Sequence, residues 1–147
     1  MSPRHGHATL RAMHSLSNTP PSPAQFNALR TACGWAYIAP ERAARALAAS
    51  TLHVTAHDGS EVVAMGRVVG DGVMYFHLQD IVVAPSHRGQ GLGRAIVDRL
   101  LADLAPLAKP GSTIGLMAAH GVEPLYAGAG FTERPTATLG AGMTLFP

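Results

Sequence analysis

The residues best suited to chemistry stand in one short run, Arg88-Gly89-Gln90-Gly91-Leu92-Gly93-Arg94. Glycine at 89, 91 and 93 allows positive φ angles and close approach of a ligand to the backbone. An amphipathic segment follows, so the run opens a helix. The first N–H groups of a helix have no internal partner and lie at the positive end of its dipole. Together these features make an anion cradle, best suited to phosphate or pyrophosphate. Arg88 and Arg94 flank the cradle and add charged donors. A P-loop is excluded, because no Lys-Ser or Lys-Thr follows the glycines. A dinucleotide fingerprint is excluded too. It needs G-x-G-x-x-G after the first strand of a βαβ unit, whereas this G-x-G-x-G lies two thirds of the way along the chain. A glycine-rich turn without a ligand is the alternative that the run alone leaves open.

The elements around the cradle follow from pattern. Ile81-Val82-Val83 is a β-branched run of the kind covered on both faces, and Ala84-Pro85-Ser86 ends it. Within the same strand, Asp80 is unexpected unless it is ion-paired or functional, and Arg67 is a candidate partner. Strict alternation sets 77, 79, 81 and 83 on one face and Asp80 on the other. After the cradle, residues 91–105 carry Leu92, Ile96 and Leu100 in one stripe, with Arg94–Asp98 and Arg99–Asp103 at i,i+4 on the far side.

Upstream, Ala8 to His14 is a weak first strand. Ser22 caps a helix that starts at Pro23 and stops at Gly34. Pro40 opens a second helix to about Ala49. Strands are expected over Leu52–Ala56, Glu61–Val69 and Val73–Val83, joined by turns at His57-Asp58-Gly59-Ser60 and Gly70-Asp71-Gly72. Downstream, Thr113–Met117 is a short buried strand reached by a crossover, hence parallel to its partner. A short helix over Val122–Ala129 carries Tyr126. Two more strands are expected, beginning at Phe131-Thr132 and over Met143–Phe146.

Composition narrows the class. The 147 residues suit one domain, with residues 1–7 a loose tail and 8–147 the folded unit. With 47% hydrophobic and 14% charged residues, a packed core is expected rather than disorder. Lys109 is the sole lysine and the arginines are scattered, which argues against nucleic acid. No apolar run is long enough to span a membrane. One cysteine, Cys33, suits a reducing cytoplasm and reads as a structural thiol. The tail histidines are too few for a metal site.

The run Arg88-x-x-Gly91-x-Gly93 after a strand ending Val-x-Pro resembles the acetyl-CoA loop of the Gcn5-related N-acetyltransferases (GNAT). Leu125-Tyr126-Ala127-Gly128-Ala129-Gly130-Phe131 resembles the family's L-Y-x-x-x-G-F. The resemblance covers about residues 8–147 and is strongest from Val73 to Phe131. It implies a mixed α/β fold with a mostly antiparallel sheet, splayed at the cofactor site and flanked by about four helices. It also implies direct acetyl transfer from acetyl-CoA to an amine, without a metal.

Further site assignments come from the same resemblance. The pantetheine arm would pair with backbone at Ile81, Val82 and Val83, and the pyrophosphate with Arg88, Gly89, Gln90, Gly91, Leu92, Gly93 and Arg94. Tyr126 would protonate the leaving thiolate, unless it is a core aromatic. His77, eleven positions before Arg88, matches the place of the base, with Gln79 where arylalkylamine acetyltransferases have a second histidine. An imidazole titrates near neutrality and suits that task. Asp80 is the rival base, and a structural histidine the alternative for 77. His120 stands where many relatives have a CoA-contacting asparagine. The helices before the strands wall the acceptor site in the family, making Trp35 and Tyr37 substrate candidates. Tyr75 and Phe76 could also receive an aryl or alkyl amine. The expected function is therefore N-acetylation of a small-molecule primary amine, with a homodimer left open. The alternatives are acetylation of a protein lysine or N-terminus, and a non-catalytic acyl-CoA-binding module.

Overall fold

In the computed structural model, which describes residues 14–147, the first helix follows directly from its capping residues. The Ser22 hydroxyl accepts from the Gln25 N–H at 3.1 Å, and the Gln25 side chain accepts from the Ser22 N–H at 2.9 Å. This reciprocal box, with Pro23 in the first turn, starts α1 at Pro23–Ala32. α2 is Pro40–Ala48. Asn27 clamps the connector between them, donating to the Ile38 carbonyl at 2.8 Å and accepting from its N–H at 2.9 Å.

Five strands form one sheet in sequential order: β1 Ser15–Ser17, β2 Leu52–Asp58, β3 Glu61–Gly70, β4 Tyr75–Val83 and β5 Thr113–Gly115. The first four are antiparallel, and β5 lies parallel to β4. Two further helices follow β4, α3 at Leu92–Leu104 and α4 at Glu123–Gly128. On one face, Ile96, Val97, Leu100 and Leu104 of α3 are fully buried against Val54, Val68, Phe76 and Leu78. On the other, Phe26, Leu29, Ala43 and Leu47 of α1 and α2 pack on Met65 and Val82. The sheet is thus covered on both faces, which explains the near-continuous apolar runs in its strands. Among the described residues, no helix is long and apolar enough to cross a membrane.

One expectation falls outside the described residues, and others are corrected. The proposed strand over Ala8 to His14 lies almost wholly outside the described residues, and the first described strand starts at Ser15. β4 begins at Tyr75, not Val73, because the Asp71 carboxylate gathers the N–H groups of Val73, Met74 and Tyr75 at 2.8, 2.8 and 3.0 Å. With their N–H groups turned onto this carboxylate, Val73 and Met74 take no part in the β3–β4 ladder, which begins at Gly70–Phe76. The strands expected at Phe131-Thr132 and Met143–Phe146 do not form. There the backbone bonds close a local turn, Thr136 N–H to Leu139 carbonyl at 2.7 Å. Met143, Leu145 and Phe146 are left 90%, 89% and 87% exposed.

Candidate active site

One irregularity in β4 arranges the site. Arg67 of β3 faces Gln79, and Met65 faces Val82, so β4 carries one residue more than β3 across this step. The extra residue makes a bulge at Asp80, which has φ +54°. Such a conformation is rare without glycine and is held by what surrounds it. Both carboxylate oxygens of Asp80 are engaged: Arg30 Nη1 donates to one at 2.8 Å and Arg67 Nε to the other at 2.8 Å. Asp80 is buried. The Arg30 guanidinium also lies 5.4 Å from the ring centres of Phe26 and Trp35 and donates to the Ala36 carbonyl at 3.1 Å. The arginine partnership expected for Asp80 is present, with Arg30 as a second partner fifty positions away.

The bulge corrects the expected alternation. Cross-strand partners share a face, and β4 pairs Val69 with His77, Arg67 with Gln79 and Met65 with Val82. His77, Gln79 and Val82 therefore face the α1–α2 layer. Ile81 and Val83 pack with the α3 cluster instead, as does Phe76. Asp80 reaches the α1 side as well, and so shares the face of His77 rather than opposing it. Phe76 is 2% exposed and belongs to the core, not to an acceptor pocket.

His77 is also the last β4 residue with a β5 partner. The parallel ladder runs Tyr75–Thr113, Phe76–Ile114 and His77–Gly115, then stops. β4 continues to Val83 with its β3 side paired and its other edge open. Backbone N–H and C=O groups along such an edge need partners from outside the sheet. The base candidate thus stands where the sheet parts. Burial lowers the pKa of His77 below its ordinary 6.5, which keeps the imidazole neutral at pH 7.

Beyond the gap, the cradle takes the predicted form. A single 3₁₀ turn, Pro85–His87, leads into it. Gly91 is the N-cap of α3 in a left-handed conformation, φ +80°, and no side chain caps the helix. The N–H groups of Leu92, Gly93 and Arg94 precede the first helical bond, Ala95 N–H to Gly91 carbonyl at 3.0 Å. They are free for an anion. Arg94 pairs with Asp98 at 2.8 Å. Its guanidinium also passes 3.2 Å from where a Cβ on Gly128 would stand. At the other end, Arg88 reaches back to the Cys33 sulfur at 3.3 Å. That thiol also donates to the Val83 carbonyl at 3.6 Å, a structural part for Cys33.

α4 presents Tyr126, 8% exposed, to the α3 cluster. Phe131 closes over it edge-on at 6.1 Å, and the Phe131 N–H donates to the Tyr126 carbonyl at 3.1 Å. The only buried side-chain N or O without a partner among the described residues is His53 Nδ1, so the Tyr126 hydroxyl, which bonds to no protein group, keeps a path to solvent. Burial raises its pKa above 10.0, so the phenol keeps its proton at neutral pH. Tyr126 and His77 approach the parted sheet from opposite faces.

The remaining candidates divide. Gln79 is half-buried beside Arg67. Trp35 packs with the α1–α2 cluster, whereas Tyr37 and Tyr75 are 62% and 60% exposed. His120 is exposed in the turn before α4, where the Gly121 N–H donates to the Glu123 carboxylate at 2.8 Å. Sequence reasoning missed Arg30, which is built into the site by stacking and by Asp80. It also missed Gly66, which faces the bulge. Arg30 had no local signal, whereas Gly66 did, since an isolated glycine within a strand marks a bulge or a close approach.

The comparisons with known proteins agree with this architecture. The description of an acetyltransferase (GNAT) domain matches residues 22–147. Serotonin N-acetyltransferase 2, chloroplastic, of Oryza sativa subsp. japonica is 45% identical over 78 residues, covering 53% of this chain and 38% of that protein. GCN5-related N-acetyltransferase 1, chloroplastic, of Arabidopsis thaliana is 38% identical over 73 residues, covering 50% and 36%. The chain thus aligns with well under half the length of these curated relatives. A protein of unknown function from meticillin-resistant Staphylococcus aureus superposes with TM-score 0.83 at 28% identity, over 92% of this chain and 100% of that one. A GNAT-family acetyltransferase from Streptococcus pneumoniae does so with TM-score 0.76 at 25% identity, over 92% and 98%. Fold and cradle together define an acetyltransferase domain. The chain belongs to the acetyltransferase (GNAT) family.

Proposed function

We propose that the protein transfers the acetyl group of acetyl-CoA to the amine of a small aryl- or alkylamine. The observation that carries this is the open edge of β4, which starts at His77 and ends beside an uncapped, glycine-lined helix N-terminus. GNAT acetyltransferases use acetyl-CoA, and these residues fit it: the cradle suits a pyrophosphate, and the β4 edge at Ile81 to Val83, which no strand pairs and where the Val83 carbonyl meets only the Cys33 thiol at 3.6 Å, suits an amide-bearing arm. When bound, the cofactor supplies an activated acetyl thioester.

The protein's own groups then handle protons. An acceptor amine is mostly protonated at pH 7 and cannot attack in that form. His77, neutral through burial, takes that proton directly or through a water. Tyr126, still protonated through burial, donates to the sulfur as the thiolate leaves. Asp80 is not the base, because both its oxygens already hold guanidinium groups; it positions the strand. Exposed Tyr37 and Tyr75 offer rings to the acceptor. The amine class is supported by the name of the rice relative, which aligns over about half of this chain.

Two experiments test this reading. Gly91→Val with Gly93→Val should abolish CoA binding by calorimetry while the circular dichroism spectrum is kept; unchanged affinity removes the cradle from the site. Thiol release should then be followed with acetyl-CoA and a panel of arylalkylamines, alkylamines and lysine peptides. Turnover confined to peptides would refute the small-amine assignment.

A further inference from the structure

We propose that His14, Asp58 and His87 form a binding site for a divalent transition-metal ion such as Zn²⁺. The three residues come from separate parts of the chain: the entry to β1, the end of β2 and the 3₁₀ turn that leads into the cradle. One ligand atom from each lies within 4.8 Å of the other two. His87 Nε2 is 2.9 Å from the Asp58 carboxylate, and the His14 and His87 rings meet edge-on at 5.8 Å. The other ring nitrogen of His87, Nδ1, is 2.8 Å from the Ser86 hydroxyl. Ligating histidines use such an outer partner to fix tautomer and ring orientation. Without an ion the Asp58 carboxylate accepts from His87 Nε2–H; a bound cation would take the place of that proton, with Nδ1–H then donated to Ser86.

The donor set selects the ion. Two imidazoles and one carboxylate, with a position open to water, suit Zn²⁺, Co²⁺ or Ni²⁺. Ca²⁺ and Mg²⁺ prefer all-oxygen shells. A tetrahedral centre with bonds of about 2.0–2.1 Å separates its ligand atoms by about 3.3 Å, so small rotations of the exposed Asp58 and the two partly buried histidines would close the shell. His87 stands next to Arg88, so a bound ion would tie β1 and the β2–β3 turn to the entry of the cradle. This site lies outside the machinery assigned to acetyl transfer.

The experiment is calorimetric titration of the full, untagged chain with ZnCl₂, paired with visible spectroscopy of the Co²⁺ form. One equivalent should bind, with the intense d–d bands of four-coordinate Co²⁺. Asp58→Asn and His87→Ala should each weaken binding at least 10-fold and lose those bands, while circular dichroism stays native. His5→Ala with His7→Ala, and Cys33→Ser, should leave the titration unchanged. Absence of stoichiometric binding overturns the proposal. So does binding that survives Asp58→Asn and His87→Ala, or that disappears with the tail histidines. If one site variant fails to fold, the other and the wild-type Co²⁺ spectrum still decide.

Discussion

At the scale of single residues, one cause moves Tyr126 and His77 in opposite and complementary directions. Removal of water disfavours the charged form of each, so the phenol titrates higher and the imidazole lower. At one pH the phenol thus keeps its proton and the imidazole stays free of one, which are the states that the proposed acid and base roles require. Tyr126→Phe keeps the ring against Phe131 but loses the donor; kcat should fall by about 10- to 1,000-fold with CoA affinity nearly constant. Equal turnover in the Phe variant would make Tyr126 a packing residue. For His77, the depressed pKa means that kcat/KM rises with pH through an inflection below 6.5. His77→Ala should remove that inflection and lower kcat/KM by about 100-fold. Asp80→Asn should leave the inflection in place and reduce stability by on the order of 2–3 kcal/mol, since two guanidinium groups lose their counter-charge. A pH profile that changes in Asp80→Asn and not in His77→Ala would reverse the two roles.

At the scale of elements, Gly66 shows what the sheet requires where β4 bulges. A Cβ there would stand 2.6 Å from Ile81 Cδ1, 2.6 Å from Ile96 Cγ2 and 3.0 Å from Leu100 Cδ1. The bulge turns Ile81 toward α3, and only a residue without a side chain leaves room beneath. Gly66→Ala should therefore destabilise the fold by about 1–3 kcal/mol in urea unfolding, the usual result of overpacking a filled core. A neutral effect would mean that α3 is not seated firmly on the sheet. The same element marks the limit of what sequence reveals. α1, α2 and α3 were legible because Ser22-Pro23, Pro40 and the stripe of Leu92, Ile96 and Leu100 are local signals. The cradle was legible for the same reason. The bulge was not, because Asp80 is held by Arg30 from another layer. Strict alternation therefore misplaced Ile81 and Val83. The strand expected over Met143–Phe146 failed in the opposite way. Its composition is strand-like, but no neighbouring strand pairs with it and its apolar side chains stay exposed.

At the scale of the whole molecule, stability should depend on pH through His53. This histidine is 8% exposed and lies on β2 beneath α2. Its Nε2 is 2.8 Å from the Leu47 carbonyl, so the neutral ring donates there. Its Nδ1 is buried without a partner. A second proton would go to Nδ1, where nothing accepts it, close to the positive charge of Arg67. Burial chiefly, and Arg67 in addition, hold the His53 pKa below 6.5. The unfolded chain therefore binds the proton more readily than the native one. Stability is complete above pH 6.5 and declines as pH falls from there toward the folded-state value, by at most about 1.4 kcal/mol per pH unit for each histidine. His77, shifted the same way, adds to the slope. Thermal unfolding from about pH 8 to 5, above the main carboxylate range, should show Tm falling on the acid side. His53→Gln should flatten part of that fall, and His53→Gln with His77→Gln most of it. A Tm that drops just as steeply in the double variant would place the acid sensitivity elsewhere in the fold.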